Sequence, residues 1–315
     1  MSRKLFFSIV GMLVLVAIFS AGCAAPVPPT PTLLPSTPSP TPLPFITLAD
    51  DAGRTVILDR VPQRIVTLAP NLTEIVFALG LGDRLVGVSD YSNYPPEAQE
   101  IQSVGGFPLN IELIVSLEPD LVLAAGITSL EDVARLEELG LTVLYLNPTD
   151  VEGILDSILV VGRASGAEDA AAELVAELRE RMGAVVERVA QAEIRPRVYY
   201  EIDPTLYTGA PGSFTHELIT LAGGENLAED AITPYPQLSA EQIIAADPQI
   251  IIFSHAKYGG TAEQIASRSG WEVITAVKNG AIHAIDPDLV DRPGPRIIDG
   301  LEVMARLIHP ELFGA

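Results

Sequence analysis

The sequence predicts an α/β fold of two similar lobes, each with a parallel-rich sheet, joined by a single long helix. Three observations predict it. The stretches Glu112-Leu-Ile-Val-Ser-Leu-Glu-Pro119-Asp-Leu-Val-Leu and Glu241-Gln-Ile-Ile-Ala-Ala-Asp-Pro248-Gln-Ile-Ile-Ile are copies of one unit: polar cap, short apolar helix, acidic-proline stop, β-run. The copies lie about 130 residues apart, too far for a solenoid with its period of roughly 20–50 residues, and far enough to be one unit in each of two lobes. Strand and helix patterns alternate on both sides of the midpoint, which implies parallel sheets. Between them, Val151 to Ala192 contains no proline and is dominated by alanine, leucine, glutamate and arginine.

Residues 1–22 hold Arg3 and Lys4, an apolar run from Leu5 to Phe19, and the small residues Ser20-Ala21-Gly22 before Cys23, the only cysteine. That run is shorter than the roughly 20 residues a spanning helix needs, so the segment reads as an export signal. It resembles a bacterial lipoprotein signal, with Ser20 where leucine usually stands, and the resemblance makes Cys23 the lipidated N-terminus of the mature chain. Residues 23–44 contain nine prolines among Ser, Thr and a few apolar residues, the composition of an extended stalk.

The first lobe spans residues 45–150. Phe45–Leu48 and Thr55–Leu58 flank Asp50-Asp51-Ala52-Gly53 as a hairpin, Arg64–Leu68 is a β-run, and Asn71-Leu-Thr-Glu74 has the form of a capping box for a helix ending at Gly80 or Gly82. Val86–Val88, Leu121–Ala124 and Val143–Leu146 are further strands, with a helix over Leu130–Leu139. Residues 151–195 form the bridging helical segment, Gly162 and Gly166 marking one break near Ser165. In the second lobe, 196–315, the strands are Val198–Glu201, Ile250–Phe253 and Ile282–Ile285, with helices starting near Ser213, Ser239 and Thr261 and a last one over Arg296–Ile308.

A formal charge of −22, made more negative by removal of Arg3 and Lys4, argues against nucleic acid as a partner and against attraction to anionic lipid headgroups. Catalytic signatures are weak. There is no nucleophile elbow or phosphate loop, and Ser254-His255 is a lone pair of neighbours at a strand end. His216, His255, His283 and His309 all fall in the second half without an i, i+4 pair, so no metal held between the lobes is expected.

Glu112 and Glu241 have an ordinary reading as first-turn acids, favoured by the helix dipole by about 0.3–1 kcal/mol. Asp288-Leu-Val-Asp-Arg292-Pro-Gly-Pro-Arg296 brings acid and base onto a loop, suited to ligand contact or to a surface ion pair. Tyr91, Tyr94, Phe107, Tyr207, Phe214 and Tyr235 sit in Pro/Gly/Ser/Asn-rich segments, where aromatics serve as ligand platforms or plug lobe ends.

Pro62-Gln-Arg-Ile-Val, Pro70-Asn-Leu-Thr-Glu74, Asn110-Ile-Glu112, Leu117-Glu-Pro-Asp-Leu-Val and Gly223-Gly-Glu-Asn226 resemble signatures of the extracytoplasmic substrate-binding proteins of ABC importers for cobalamin, ferric siderophores and haem. The resemblance runs from about Asp50 to the C-terminus. It implies two Rossmann-like lobes on a helical backbone, ligand in the cleft, and one glutamate per lobe, here Glu112 and Glu241, docking on permease arginines. Ser89-Asp-Tyr91-Ser-Asn-Tyr94-Pro-Pro96, Tyr235-Pro-Gln-Leu-Ser239 and Asp288-Leu-Val-Asp-Arg292 are most similar to the cobalamin-binding members. That likeness implies ligand contacts from Tyr91, Tyr207, Tyr235, Asp288 and Arg292, with Tyr235 in place of a tryptophan and Tyr207 of a phenylalanine; the first-lobe tryptophans of that group are absent, and Phe107, near one such place, is taken as a sixth contact.

The resulting expectation is a monomeric, non-enzymatic receptor without a cofactor of its own. It would be tethered outside the cytoplasmic membrane by Cys23, taking a corrinoid to an ABC permease dimer with its ATPase subunits. A ferric-siderophore or haem receptor is the rival in the same class; both ligands commonly carry negative charge and would want more bases near the cleft than Arg292 and Lys257. A surface hydrolase or a sensory lipoprotein are rivals of other classes.

Overall fold

The computed structural model describes residues 46–314, so the expected export signal, Cys23 and the expected stalk lie outside the described residues. β1 (Ile46–Ala49) and β2 (Thr55–Leu58) form the antiparallel leading hairpin, Ile46 facing Leu58. There follow β3 (Ile65–Thr67), α1 (Pro70–Ala78), β4 (Leu85–Val88), α2 (Ile111–Ser116), β5 (Leu121–Ala125), α3 (Leu130–Glu138) and β6 (Val143–Leu146). The four later strands make a parallel sheet in the order β4-β3-β5-β6. Every residue of β5 and β6 is buried, as in a sheet covered by helices on both faces.

The proline-free segment is two helices, α4 (Val151–Ser165) and α5 (Glu168–Val189), divided where the glycines suggested. Gly166 ends α4 in the left-handed region at φ +69°. Gly162 lets the two helices cross closely, since a Cβ there would lie 2.4 Å from that of Ala171. The 22-residue α5 is the long strut.

The second half repeats the first. β7 (Arg197–Glu201), α6 (Phe214–Leu221), β8 (Glu225–Asn226), α7 (Ala240–Ala246), β9 (Ile250–Phe253), α8 (Ala262–Ala266), α9 (Thr275–Asn279) and β10 (Ile282–Ala284) give a parallel sheet ordered β8-β7-β9-β10. Each lobe thus runs second, first, third, fourth strand. The chain closes with α10 (Pro287–Val290), α11 (Ile297–Ile308) and α12 (Pro310–Phe313). β8, two residues of polar sequence, has no alternation by which it could be foreseen.

The duplicated unit is a duplicated geometry. Asn110 caps α2 by accepting from Leu113 N at 3.1 Å, and Ser239 caps α7 by accepting from Gln242 N at 3.2 Å. Both units stop on an acidic residue in the left-handed region, Glu118 at φ +46° and Asp247 at φ +44°, one step before proline.

One apolar core runs through both halves, joining Leu72, Leu123 and Ile154 to Leu178 of α5 and on to Val198, Leu218 and Ile298. Smaller cores cover the other face of each sheet. Ion pairs pin α5 to both neighbours: Arg179 Nη2 to Glu152 of α4 at 2.7 Å, and Arg181 to Asp299 and Glu302 of α11 at 2.6 and 2.9 Å. Glu217 of α6 also reaches across, its Oε2 accepting from Val151 N at the start of α4 at 2.8 Å.

Two glycine replacements test this description of the strut. Gly166→Ala forces a β-carbon into the left-handed break, 3.1 Å from Val61, and should lower stability by about 1 kcal/mol or more. Gly183→Ala, in the interior of α5 with open space around it, should raise stability by about 0.5–1 kcal/mol. Urea denaturation midpoints of the two variants should therefore move in opposite directions.

Candidate functional site

In parallel sheets of this order, ligands bind beyond the carboxyl ends of the strands, where neighbouring connections diverge. The loops leaving β3, β4, β7, β9 and β10 bring the candidate residues there.

On the first lobe a chain of buried hydroxyls fixes the loop after β4. Thr67 Oγ1 lies 2.7 Å from Thr73 Oγ1, which lies 2.8 Å from Ser92 Oγ, itself 2.9 Å from Ser89 Oγ. Above this chain Tyr91 is half-exposed and packs against Phe107, ring centroids 6.2 Å apart and planes tilted by 37°. Gly106 permits the contact, since a Cβ there would meet the Tyr91 ring at 2.7 Å.

On the second lobe the loop after β7 doubles back on the segment before α7. Ala210 N donates to Pro234 O at 2.8 Å, Thr208 N to Pro236 O at 3.1 Å, and Leu238 N to Leu206 O at 3.1 Å. This pairing sets Tyr207 beside Tyr235. Together with Ile202, Asp203, Phe214, Thr215, Val290 and Asp291 they line a cavity of about 400 Å³. Burial pushes the Asp291 carboxyl up to about 6; the Tyr200 hydroxyl, 3.4 Å away, opposes the rise and the charge of Asp288 adds to it. Asp291 stays open to the cleft, so water there softens the shift until a ligand displaces it.

Between the two walls the lobes are stitched by charge. Glu74 of α1 is buried and receives Arg296 through two hydrogen bonds, at 2.6 and 2.9 Å, and Arg292 at 3.3 Å. Arg292 also reaches Asn93 Oδ1 at 2.7 Å, Tyr91 O at 3.4 Å and Asp288 at 3.0 Å. Asn93 Nδ2 donates to Asp288 at 3.2 Å, and Lys257 holds Asp286 and Asp288 at 2.7 Å each. Burial would raise the Asp288 carboxyl, but hydrogen bonds from Lys257 and Asn93 and the Arg292 charge outweigh it and hold the group below its usual range. A cavity of about 470 Å³ lies between this network and the strut, lined by Phe77, Tyr94, Leu174, Leu178 and Arg181 among others, with the Arg296 guanidinium 3.9 Å from the Tyr94 ring centroid.

The capping box expected at Asn71–Glu74 is corrected by this arrangement. Pro70 starts α1 earlier, Ala69 caps it without a side-chain bond, and both polar side chains turn to the other lobe, Asn71 Nδ2 donating to Pro293 O at 3.2 Å. Ser254 and His255 do not form a catalytic pair. The imidazole Nε2 is 2.8 Å from buried Glu201, which Arg268 also grips, while Ser254 Oγ donates to Ile202 O at 3.4 Å.

Of the six predicted contacts, Tyr207 and Tyr235 share a cavity, Tyr91 and Phe107 form a pair, and Asp288 and Arg292 enter the inter-lobe network. Glu74, Asn93, Asp203 and Asp291 were missed. Asp291 carries a signal only in retrospect, as a second acid inside the Asp288–Arg292 loop. Glu112 and Glu241 are both exposed in first turns, and the carboxylate of Glu241 is held below its ordinary range by its own backbone N–H and the Ser239 hydroxyl.

The family profile described as "Periplasmic binding protein" matches residues 65–289. A Bacillus subtilis protein named as an uncharacterized ABC transporter substrate-binding lipoprotein is 34% identical over 276 residues, 85% of this chain and 87% of its own. A Halobacterium salinarum cobalamin-binding protein is 35% identical over 274 residues, 84% of this chain and 74% of its own. Among solved structures, the periplasmic vitamin B12-binding protein of Vibrio cholerae superposes with a TM-score of 0.70 at 32% identity, covering 81% of this chain and 99% of that one.

Removing the centre of the network should be costly. Glu74→Ala leaves the largely buried Arg296 guanidinium facing no carboxylate and Arg292 with Asp288 alone, and should lower stability by about 3–5 kcal/mol in chemical denaturation. Glu74→Gln, which keeps one acceptor, should lose less.

Proposed function

Because the chain belongs to the periplasmic binding protein family, we propose that it is the extracytoplasmic receptor of an ABC importer and that its ligand is a corrinoid. The observation that carries this reading is the make-up of the cleft. Aromatic side chains stand on both walls, Tyr91 with Phe107 and Tyr207 with Tyr235, while the bases between them, Lys257 and Arg292, are engaged by carboxylates. Such a cleft suits a large, flat, neutral, amide-rimmed ring better than an anionic chelate. The cobalamin and vitamin B12 ligands of the relatives support it.

In this reading residues 1–22 are cleaved, Cys23 carries the lipid, and residues 23–44 hold the two lobes off the outer face of the cytoplasmic membrane. Tyr91, Phe107, Tyr207, Tyr235, Asp288 and Arg292 surround the ligand. Asp288 and Arg292, already paired with each other, offer an acceptor and a donor to peripheral amides without adding net charge to the site. Glu112 and Glu241, each exposed at the same place in its lobe, dock on basic side chains of the two permease subunits. Charge-assisted hydrogen bonds of this kind contribute about 1.5–3 kcal/mol each.

Thermal melting of the full chain in detergent with cobalamin, cobinamide, haem or a ferric siderophore tests the ligand. A ligand at 100 times its dissociation constant should stabilise by about 2.7 kcal/mol. Shifts are expected with the two corrinoids; a shift with haem or the siderophore alone would overturn the assignment. In reconstituted transport, Glu112→Ala and Glu241→Ala should each cut uptake severalfold while leaving the ligand's dissociation constant unchanged.

A further inference from the structure

The cavity on the second lobe has a chemical bias that the general reading of the cleft does not capture. Its walls are aromatic and aliphatic, its polar groups include the carboxylates of Asp203 and Asp291, and among the described residues no base lines it. One oxygen of Asp203 is taken by the turn that follows, accepting from Thr205 N at 2.7 Å, and its second oxygen is left for another donor. Among the described residues, Asp291 receives only the long 3.4 Å contact from Tyr200. The nearby cations are engaged elsewhere, Lys257 by Asp286 and Asp288, Arg292 by Asp288, Glu74 and Asn93, and Arg268 by Glu201. Among the described residues, two acceptor-only groups therefore line the cavity without a cation paired to either, and a ligand seated against Tyr207, Phe214 and Tyr235 would displace the water that otherwise screens them.

We infer that Asp291, assisted by Asp203, is a specificity-determining residue that selects corrinoid side chains ending in carboxamides and rejects those ending in carboxylates. This deepens the corrinoid assignment and rests on it. An amide NH₂ entering the cavity donates to an Asp291 oxygen in a charge-assisted hydrogen bond. A carboxylate of the same shape brings like charge against two acids and has no base to meet, the repulsive element that separates near-isosteric ligands. Selection of this kind would let the receptor pass over corrin precursors whose acetate and propionate arms have not yet been amidated.

The test compares two probes that share the corrin ring: dicyanocobinamide, with amidated arms, and dicyanocobyrinic acid, with free carboxylic acids. Dissociation constants are measured by absorbance titration at neutral pH on the full chain in detergent, for the native protein, Asp291→Asn and Asp203→Asn. Asparagine keeps the shape and a single acceptor oxygen, which Tyr200 and the amide would share, but removes the negative charge. The native protein should prefer the amide by on the order of a hundredfold, because like-charge juxtaposition costs several kcal/mol. Asp291→Asn should shrink that preference by on the order of tenfold through tighter binding of the acid, and Asp203→Asn by less, given its partner in the turn. Equal binding of the two probes by the native protein, or a preference unchanged in Asp291→Asn, overturns this inference and leaves the corrinoid reading standing. Failure of both probes to bind overturns the corrinoid reading and this inference with it.

Discussion

The arrangement of the molecule depends on a buried carboxylate, that of Glu74, reaching from the first lobe to Arg292 and Arg296 of the second. A lone charge in that position would be prohibitively costly to desolvate. Two hydrogen bonds from Arg296 and one from Arg292 offset the cost only if the lobes hold one relative position to within the length of a hydrogen bond. The pair therefore specifies geometry more than it adds stability. Asn71 with Pro293, Asn93 with Asp288 and Glu217 with the first turn of α4 impose the same condition at other points.

What the network fixes locally, the core fixes globally. Leucine and valine side chains of α4 and α5 pack into a single apolar cluster with residues from both sheets, so opening the cleft widely would expose core as well as break ion pairs. A receptor built this way would capture ligand in a cleft that already exists, and its selectivity would have to come from side chains on the walls. Those walls are unlike one another. The first lobe offers Tyr91 and Phe107 over a scaffold of hydroxyls, and the second offers tyrosines with uncompensated acids. Arg292 and Arg296 join the lobes and Lys257 is held by Asp286 and Asp288 of its own lobe, so the walls present mainly aromatic surface and hydrogen-bond acceptors to a ligand.

Much of the fold was legible because it is written in periodic apolar runs and punctuated by Gly and Pro. The Glu112 and Glu241 units announced the duplication, and their shared left-handed stop before proline shows that the likeness is one of backbone geometry. The break at Gly166 was visible for the same reason. Legibility failed where a side chain serves a partner distant in sequence. Glu74 has the spacing of a helix cap, and only the folded chain shows that its partner, Arg296, lies over two hundred residues away. Asp291 looks like one more acid in an acidic chain until the cavity around it is seen. The aromatics of the cleft could be picked out from their loop settings, whereas which of them share a wall depends on backbone pairing between the loops after β7 and before α7.

Whether the lobes keep one separation with and without ligand can be read from spin labels at exposed positions of each lobe, Glu131→Cys and Glu263→Cys with Cys23 replaced by serine, and the distance between them measured by electron double resonance. A network that holds both lobes should give a single narrow distribution whose mean moves by less than about 1 Å when cobalamin is added, the range usual for preorganised binding surfaces. A contraction of more than about 2 Å, or two populations exchanged by ligand, would contradict it.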